Sequence, residues 1–153
     1  MSGVIPTEAA FATFVSEAEP RLRRALVALR GPEDGRDATA EALGWAWANW
    51  DRVEAMDNPI GYLYRVGQSR SRQRQHGHLP PTTTGRVPDI EPALGPALAQ
   101  LSDTQRTAVV LVHGCQWTYQ EVADALDITK SSVGTHIARA MTRLRTALEV
   151  DHG

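Results

Sequence analysis

TYQEVADALDITKSSVGTHIARAMTRL, residues 118–144, decides the fold. Thr118 and Glu121 stand as a capping box, a hydroxyl followed three residues later by a carboxylate, which starts a helix. Tyr119, Val122, Ala123 and Leu126 form its core stripe. Asp127-Ile128 stops it, and Thr129 caps the next helix. There Val133, Ile137, Ala140, Met141, Leu144 and, further on, Leu148 recur at helical spacing. A short helix, a tight turn and a longer helix make a helix-turn-helix, and Ala123 is small enough to let the two helices cross closely.

The outward face of the second helix carries Ser132, Thr135, His136, Arg139 and Arg143, with Thr129, Lys130 and Ser131 at its start. Such side chains reach base edges, while amides at the helix start and the arginines hold phosphates. Gly134 lies inside this helix and costs about 1 kcal/mol relative to alanine. Two accounts of it stay open: close backbone approach to DNA, or weaker base contact. Upstream, Ser102 and Gln105 form another capping box, and the helix they start runs to about His113, with Gly114 as the residue after its end. The apolar run Ala108 to Val112 alone reads equally as a strand, and the caps decide for helix.

Residues 76–92 hold four of the nine prolines and two glycines. No helical or strand period survives that composition, so they read as an extended linker. His76 and His78 within it are a weak metal pair, without a nearby third ligand. The expected architecture is all-α: two small helical domains, residues 1–75 and 93–153, joined by a Pro/Thr-rich linker, the second a helix-turn-helix.

In the first domain Thr7 can cap a helix running toward Glu19, and Pro20 reads as a junction or a new first turn. Leu22, Ala25, Leu26 and Leu29 share a face that ends at Gly31-Pro32. The next helix, about Glu33 to Trp50, has Thr39, Leu43, Ala46, Trp47 and Trp50 as its core stripe. Asp37, Glu41 and Trp45 recur every four residues on another face, a docking surface for a basic helix with Trp45 as anchor. The competing reading packs Trp45 on a helix of its own domain. Residues 51–58 read as a loop. Asn58-Pro59 then starts a helix that turns Ile60, Leu63, Tyr64 and Gly67 inward. Its other face carries Tyr62, Arg65, Ser69 and Arg72, with Gln68 and Arg70 beside them. Arginines bind phosphates bidentately, and tyrosine stacks on an unpaired base.

The 153 residues carry a net charge of −2, distributed in blocks. Residues 61–86 hold five Arg and no acid, and residues 129–153 hold four basic residues against two acids. Phosphate binding needs a local basic face rather than a basic total. The apolar runs are too short to span a bilayer, no secretory signal is visible at the start, and the single cysteine, Cys115, excludes an intramolecular disulfide framework. A reducing cytoplasm is the expected compartment. No cofactor or metal is expected.

The chain resembles a short sigma factor of bacterial RNA polymerase, of the extracytoplasmic-function group, over nearly its whole length. Asp37, Glu41, Ala46 and Trp47 stand where that family has D-x-x-x-E-x-x-x-x-A-W, and Tyr62-Leu63-Tyr64-Arg65-Val66 is similar to its W-L-Y-R-I. Leu101 to Gln105, Glu121-Val122-Ala123, Ile128, Val133 and Arg139-Ala140 fall at the spacings of region 4. The resemblance implies that region 2, in the first domain, clamps the coiled coil of the largest polymerase subunit and opens the −10 element as a single strand. Region 4, in the second, would read the −35 element as duplex and touch the polymerase flap. By position, Asp37 and Glu41 would dock polymerase, with Trp45 on the same face as the anchor. The loop at residues 51–58, Asn58 included, would pocket a flipped base. Tyr62, Arg65, Gln68, Ser69 and Arg72 would hold the melted strand. The linker would thread toward the active-centre and RNA-exit channels. The resemblance leaves room for an anti-sigma partner and implies neither membrane insertion nor catalysis. The chain departs from the pattern at Ala40, where the family has Gln, at Gln68-Ser69, where it has Arg-Asn, and at Gly134 and His136, where Lys and Arg are usual. Fewer charges imply weaker isolated DNA binding and a shallower salt dependence.

Two other classes compete. Val133 to Ile137 also resembles the recognition helix of response-regulator transcription factors, which predicts duplex binding without polymerase. His113, Cys115 and Asp124 can be grouped as a catalytic set, but no pocket former or oxyanion loop accompanies them.

Overall fold

The structure, a computed structural model, describes residues 6–74 and 94–152. The linker, with His76 and His78, lies outside the described residues. In chain order the helices are α1 (Pro6–Arg30), α2 (Pro32–Ala48), α3 (Trp50–Glu54), α4 (Ile60–Arg74), α5 (Leu94–Ala99), α6 (Asp103–Val109), α7 (Tyr119–Leu126) and α8 (Lys130–His152). A π-helical turn, Val110–Gly114, extends α6. No strand occurs among the described residues, so the expected all-α class stands.

α1 departs from expectation by running unbroken through Pro20. Proline removes one backbone hydrogen bond, but Ala18, Leu22, Ala25 and Leu26 are buried on both sides of it. Burial of that shared face holds the two halves in one helix. Gly31, at φ 94°, makes the tight turn into α2, and Pro32 takes the first helical position.

α2 buries Gly35, Ala38, Thr39, Ala42 and Ala46. The Thr39 hydroxyl donates to the Gly35 carbonyl at 2.7 Å, so this polar group is satisfied inside the core. The small inward face lets α1 and α4 pack closely on either side. It also corrects the expected stripe: Leu43 is half-buried and Trp47 is 48% exposed, its ring lying 4.9 Å from that of Phe11. The segment expected as a loop begins with α3, which buries Trp50 and Val53. α4 buries Ile60, Leu63, Tyr64 and Gly67, as the periodicity predicts.

Both capping boxes form. The Gln105 and Glu121 amides donate to the Ser102 and Thr118 hydroxyls, each at 3.1 Å. Gly114 does not close α6. The turn widens, the Cys115 amide donates to the Val110 carbonyl at 2.9 Å, and the left-handed position falls on Gln116 at φ 61°. Tyr119, expected in the core, is 37% exposed. α5 and α6 pack on α8 through Ala97, Leu98, Leu101, Val109, Ala140 and Leu144.

One buried cluster runs from Ala18 on α1 through Tyr64 on α4 to Val122 on α7 and Ile137 on α8. The N-terminal and C-terminal helices therefore dock directly on each other. Tyr64 meets Trp117 edge-on, with ring centroids 5.6 Å apart. Gly61 sits at the closest approach, where an added Cβ would overlap the Glu121 carbonyl oxygen and the Asp124 side chain.

Candidate nucleic-acid interface

Three groups of side chains expected to bind polymerase or DNA can be placed. The first is along α2. Asp37 is exposed, and Glu41 is half-buried, with Arg70 Nη1 at 3.8 Å. Glu41, Trp45, Asn49 and Arg70 line a shallow groove of about 300 Å³. Trp45 is half-buried against its own domain, with ring centroids 5.4 Å from Tyr62. The acidic face and the face expected to hold a melted strand thus adjoin at this aromatic pair.

The second group is on α4. Arg65 lies over the Tyr62 ring at 5.0 Å, and Arg52 lies over Trp45 at 5.5 Å and over Tyr62 at 5.9 Å. Two guanidinium groups thus frame a tyrosine ring, an arrangement that supports base stacking with cations nearby. Gln68 is half-buried, Ser69 is exposed, and the Arg72 side chain lies outside the described residues. Arg52 has no place in the helical spacing that picked out Tyr62 and Arg65; it reaches the Trp45 and Tyr62 rings from α3.

The third group is the start and outer face of α8. The Thr129 hydroxyl oxygen accepts from the Ser132 amide at 3.0 Å, as an N-cap should. Lys130, Ser131, Thr135, Arg139 and Arg143 are exposed. Thr135 donates back to the Ser131 carbonyl at 3.3 Å, and Arg143 donates to Gln105 at 3.3 Å, tying α8 to α6. His136 is half-buried with Nδ1 buried and unpartnered, so it offers less to a groove than spacing implies. At Gly134 an added Cβ would meet only Tyr119 at an ordinary 3.7 Å, so packing within the chain does not demand the glycine.

The polar site with the most hydrogen bonds to one buried group lies elsewhere, between the two halves. Glu121, 3% exposed, accepts from both Arg21 terminal nitrogens at 2.8 and 2.7 Å, from Asn58 Nδ2 at 3.0 Å and from the Thr118 amide at 2.9 Å. Burial alone would raise its pKa. The hydrogen bonds from Arg21, the Thr118 amide and Asn58, with the Arg21 charge, outweigh burial and bring it to about 2. Arg65 reaches across to Asp127 at 3.1 Å, and Arg21 lies over the Trp117 ring at 5.8 Å. Asn58, expected to serve as a cap and base-pocket residue, thus spends its side chain on Glu121 of α7. Arg21 carries no local signal of this role, since 100 positions separate it from Glu121.

Burial pushes the Cys115 thiol up, against the pull of Arg24 and Arg21, the wrong direction for a nucleophile. Among the described residues no cluster of three or more His, Cys, Asp or Glu is placed to hold a metal, and no helix is long and apolar enough to cross a membrane.

Residues 93–144 match the family model of sigma-70 region 4. The chain is similar to the RNA polymerase sigma-E factor of Streptomyces avermitilis, 29% identical over 140 residues, covering 84% of this chain and 78% of that protein. It is also similar to the RNA polymerase sigma-E factor of Streptomyces coelicolor, 28% identical over 139 residues, covering 83% and 78%. Two solved structures share the fold. The sigma factor RpoE of Bartonella quintana, in complex with the anti-sigma factor NepR, has a TM-score of 0.69 at 22% identity, covering 93% of this chain and 98% of that one. CnrH, in complex with the cytosolic domain of CnrY, has a TM-score of 0.70 at 24% identity, covering 98% and 92%. The match at 93–144 falls on α5 to α8, and the relatives extend the likeness across α1 to α4. Residues 93–144 thus carry sigma-70 region 4, and the chain as a whole is similar to RNA polymerase sigma-E factors.

Proposed function

We propose that the chain binds core RNA polymerase and directs it to promoters, contributing recognition and strand opening rather than chemistry of its own. Residues 1–75 act as region 2, residues 76–92 as the connecting linker and residues 93–153 as region 4. Asp37, Glu41 and Trp45 dock the coiled coil of the largest subunit. Tyr62 and Arg65, flanked by Gln68, Ser69 and Arg72, hold the melted −10 strand. Thr129 to Ser132, Thr135, His136, Arg139 and Arg143 face the −35 duplex. The protein works in the cytoplasm, and an anti-sigma protein is a fitting partner, since the two fold relatives are held in such complexes or one with a cytosolic domain.

The observation that carries this reading is the region 4 match on a capped helix-turn-helix, joined in one chain to a basic, aromatic-bearing α4. A duplex reader acting without polymerase is not favoured, because it gives α2 and α4 no task. Run-off transcription with purified core enzyme and genomic DNA tests the proposal. Discrete transcripts that require this chain are expected, and transcription indifferent to it would refute the proposal.

A further inference from the structure

In the docked chain three side chains suited to a nucleic-acid backbone are already occupied by carboxylates. Arg21 grips Glu121 with both terminal nitrogens, Asn58 donates to the same carboxylate, and Arg65 pairs with Asp127. The two-pronged guanidinium grip on a carboxylate is also the grip arginine uses on phosphate. Arg65 further lies over Tyr62, which is flanked by Arg52, so the charged groups lead onto a ring able to stack on a base. The acids come from α7 and its C-terminal cap, and the donors from α1, α4 and the residue pair before α4.

We propose that Arg21, Asn58 and Arg65 form a phosphate-binding row for single-stranded DNA, which Glu121 and Asp127 fill as carboxylate stand-ins while the two halves are docked. The inference rests on the sigma-factor reading for its ligand and adds Arg21 to the strand-binding surface. Docking and strand binding then exclude each other. A phosphate takes the place of Glu121 on Arg21 only when α7 leaves α4, and α7 returns only when the phosphate leaves. Three features fit an interface made to open. Arg21 and Arg65 keep 39% and 38% of their side chains in solvent, so an incoming phosphate can approach before the carboxylates depart. Asp127 is 82% exposed, and Arg65 grips it at 3.1 Å from the solvent side of the contact. The buried Trp117 Nε1 has no acceptor, so that donor gives up no hydrogen bond on undocking.

The inference makes Gly61 the steric hinge of the contact. Gly61→Ala pushes α7 off α4, leaves every charge in place and favours α4 itself, because alanine is the better helix residue. Glu121→Gln with Asp127→Asn removes the stand-in charges by another route. Glutamine still completes the capping box, and asparagine tolerates the left-handed cap position.

The test is fluorescence anisotropy of the full-length chain with a labelled single-stranded oligonucleotide of roughly 15 nucleotides. If about nine in ten parent molecules are docked, apparent affinity is lowered about tenfold, and either opening variant should recover that factor. Adding Arg21→Ala to an opened variant should remove most of the gain. In the parent, the oligonucleotide should speed hydrogen exchange at residues 119–126. Opened variants that keep their helix content yet bind no tighter would overturn the proposal, as would a gain that survives Arg21→Ala, or strand binding that leaves exchange at α7 unchanged. Core-polymerase binding by the same proteins is scored separately: its loss in the parent would refute the sigma reading, whereas normal polymerase binding with unchanged strand affinity would refute only this inference.

Discussion

Glu121 offers a stability test whose sign and size follow from its surroundings. Its carboxyl sits at about 2 in the folded chain, against an ordinary value of 4.5. The folded state therefore binds fewer protons than the unfolded state between those values. The carboxylate contributes its full stability above pH 4.5 and loses it as pH falls toward 2. The whole interval corresponds to about 3 kcal/mol. Because Arg21 is 39% exposed, water screens part of the attraction, and about 2 kcal/mol is the better expectation. Somewhat more than half of that, roughly 1 kcal/mol, is gone by pH 3. The perturbation is Glu121→Gln, which keeps the helix cap and removes the charge. Urea unfolding of parent and variant at pH 6 and pH 3 isolates this group, because all other carboxylates titrate in both proteins. The parent should exceed the variant at pH 6, and the gap should narrow by roughly 1 kcal/mol at pH 3. A gap that stays constant across that range would refute the assignment of Glu121 as a buried, ionised bridge.

Changing Asp37 and Glu41 together to Arg should abolish co-purification with core polymerase while leaving the helical signal intact, since Asp37 is exposed and Glu41 only half-buried; undiminished pull-down would remove their docking role. Arg139→Ala, on the exposed face of α8, should weaken holoenzyme protection of the upstream promoter element by about 1–3 kcal/mol if it reads a base. An unchanged footprint there would reject the recognition-helix assignment. Tyr62→Ala removes the ring between Arg52 and Arg65 and should impair strand opening more than initial promoter binding. Permanganate reactivity equal to the parent would contradict that.

The features legible in the sequence are those fixed by neighbours along the chain. The Ser102/Gln105 and Thr118/Glu121 boxes, the Thr129 cap and the buried face of α8 depend on residues three or four apart, and they form as expected. Errors arise where packing between distant segments overrides local preference. Pro20 ends no helix because the apolar face continues beneath it, and Trp47 lies at the edge because α2 presents its alanines and Gly35 to its neighbours. The Tyr62 surface was half-legible: spacing gave Tyr62 and Arg65, but Arg52 and the Trp45 ring join them only through the packing of α2, α3 and α4. The Arg21–Glu121–Asn58 bridge was not legible at all. Glu121 has a complete local explanation as a capping residue, which conceals its long-range partners.

Physical association with core RNA polymerase is the property on which everything proposed for this chain turns. Purified chain and core enzyme run together on a sizing column should elute as one complex that then occupies promoter DNA, while the chain alone leaves duplex oligonucleotides unshifted. A chain that elutes apart from the enzyme yet shifts those duplexes unaided would contradict the account.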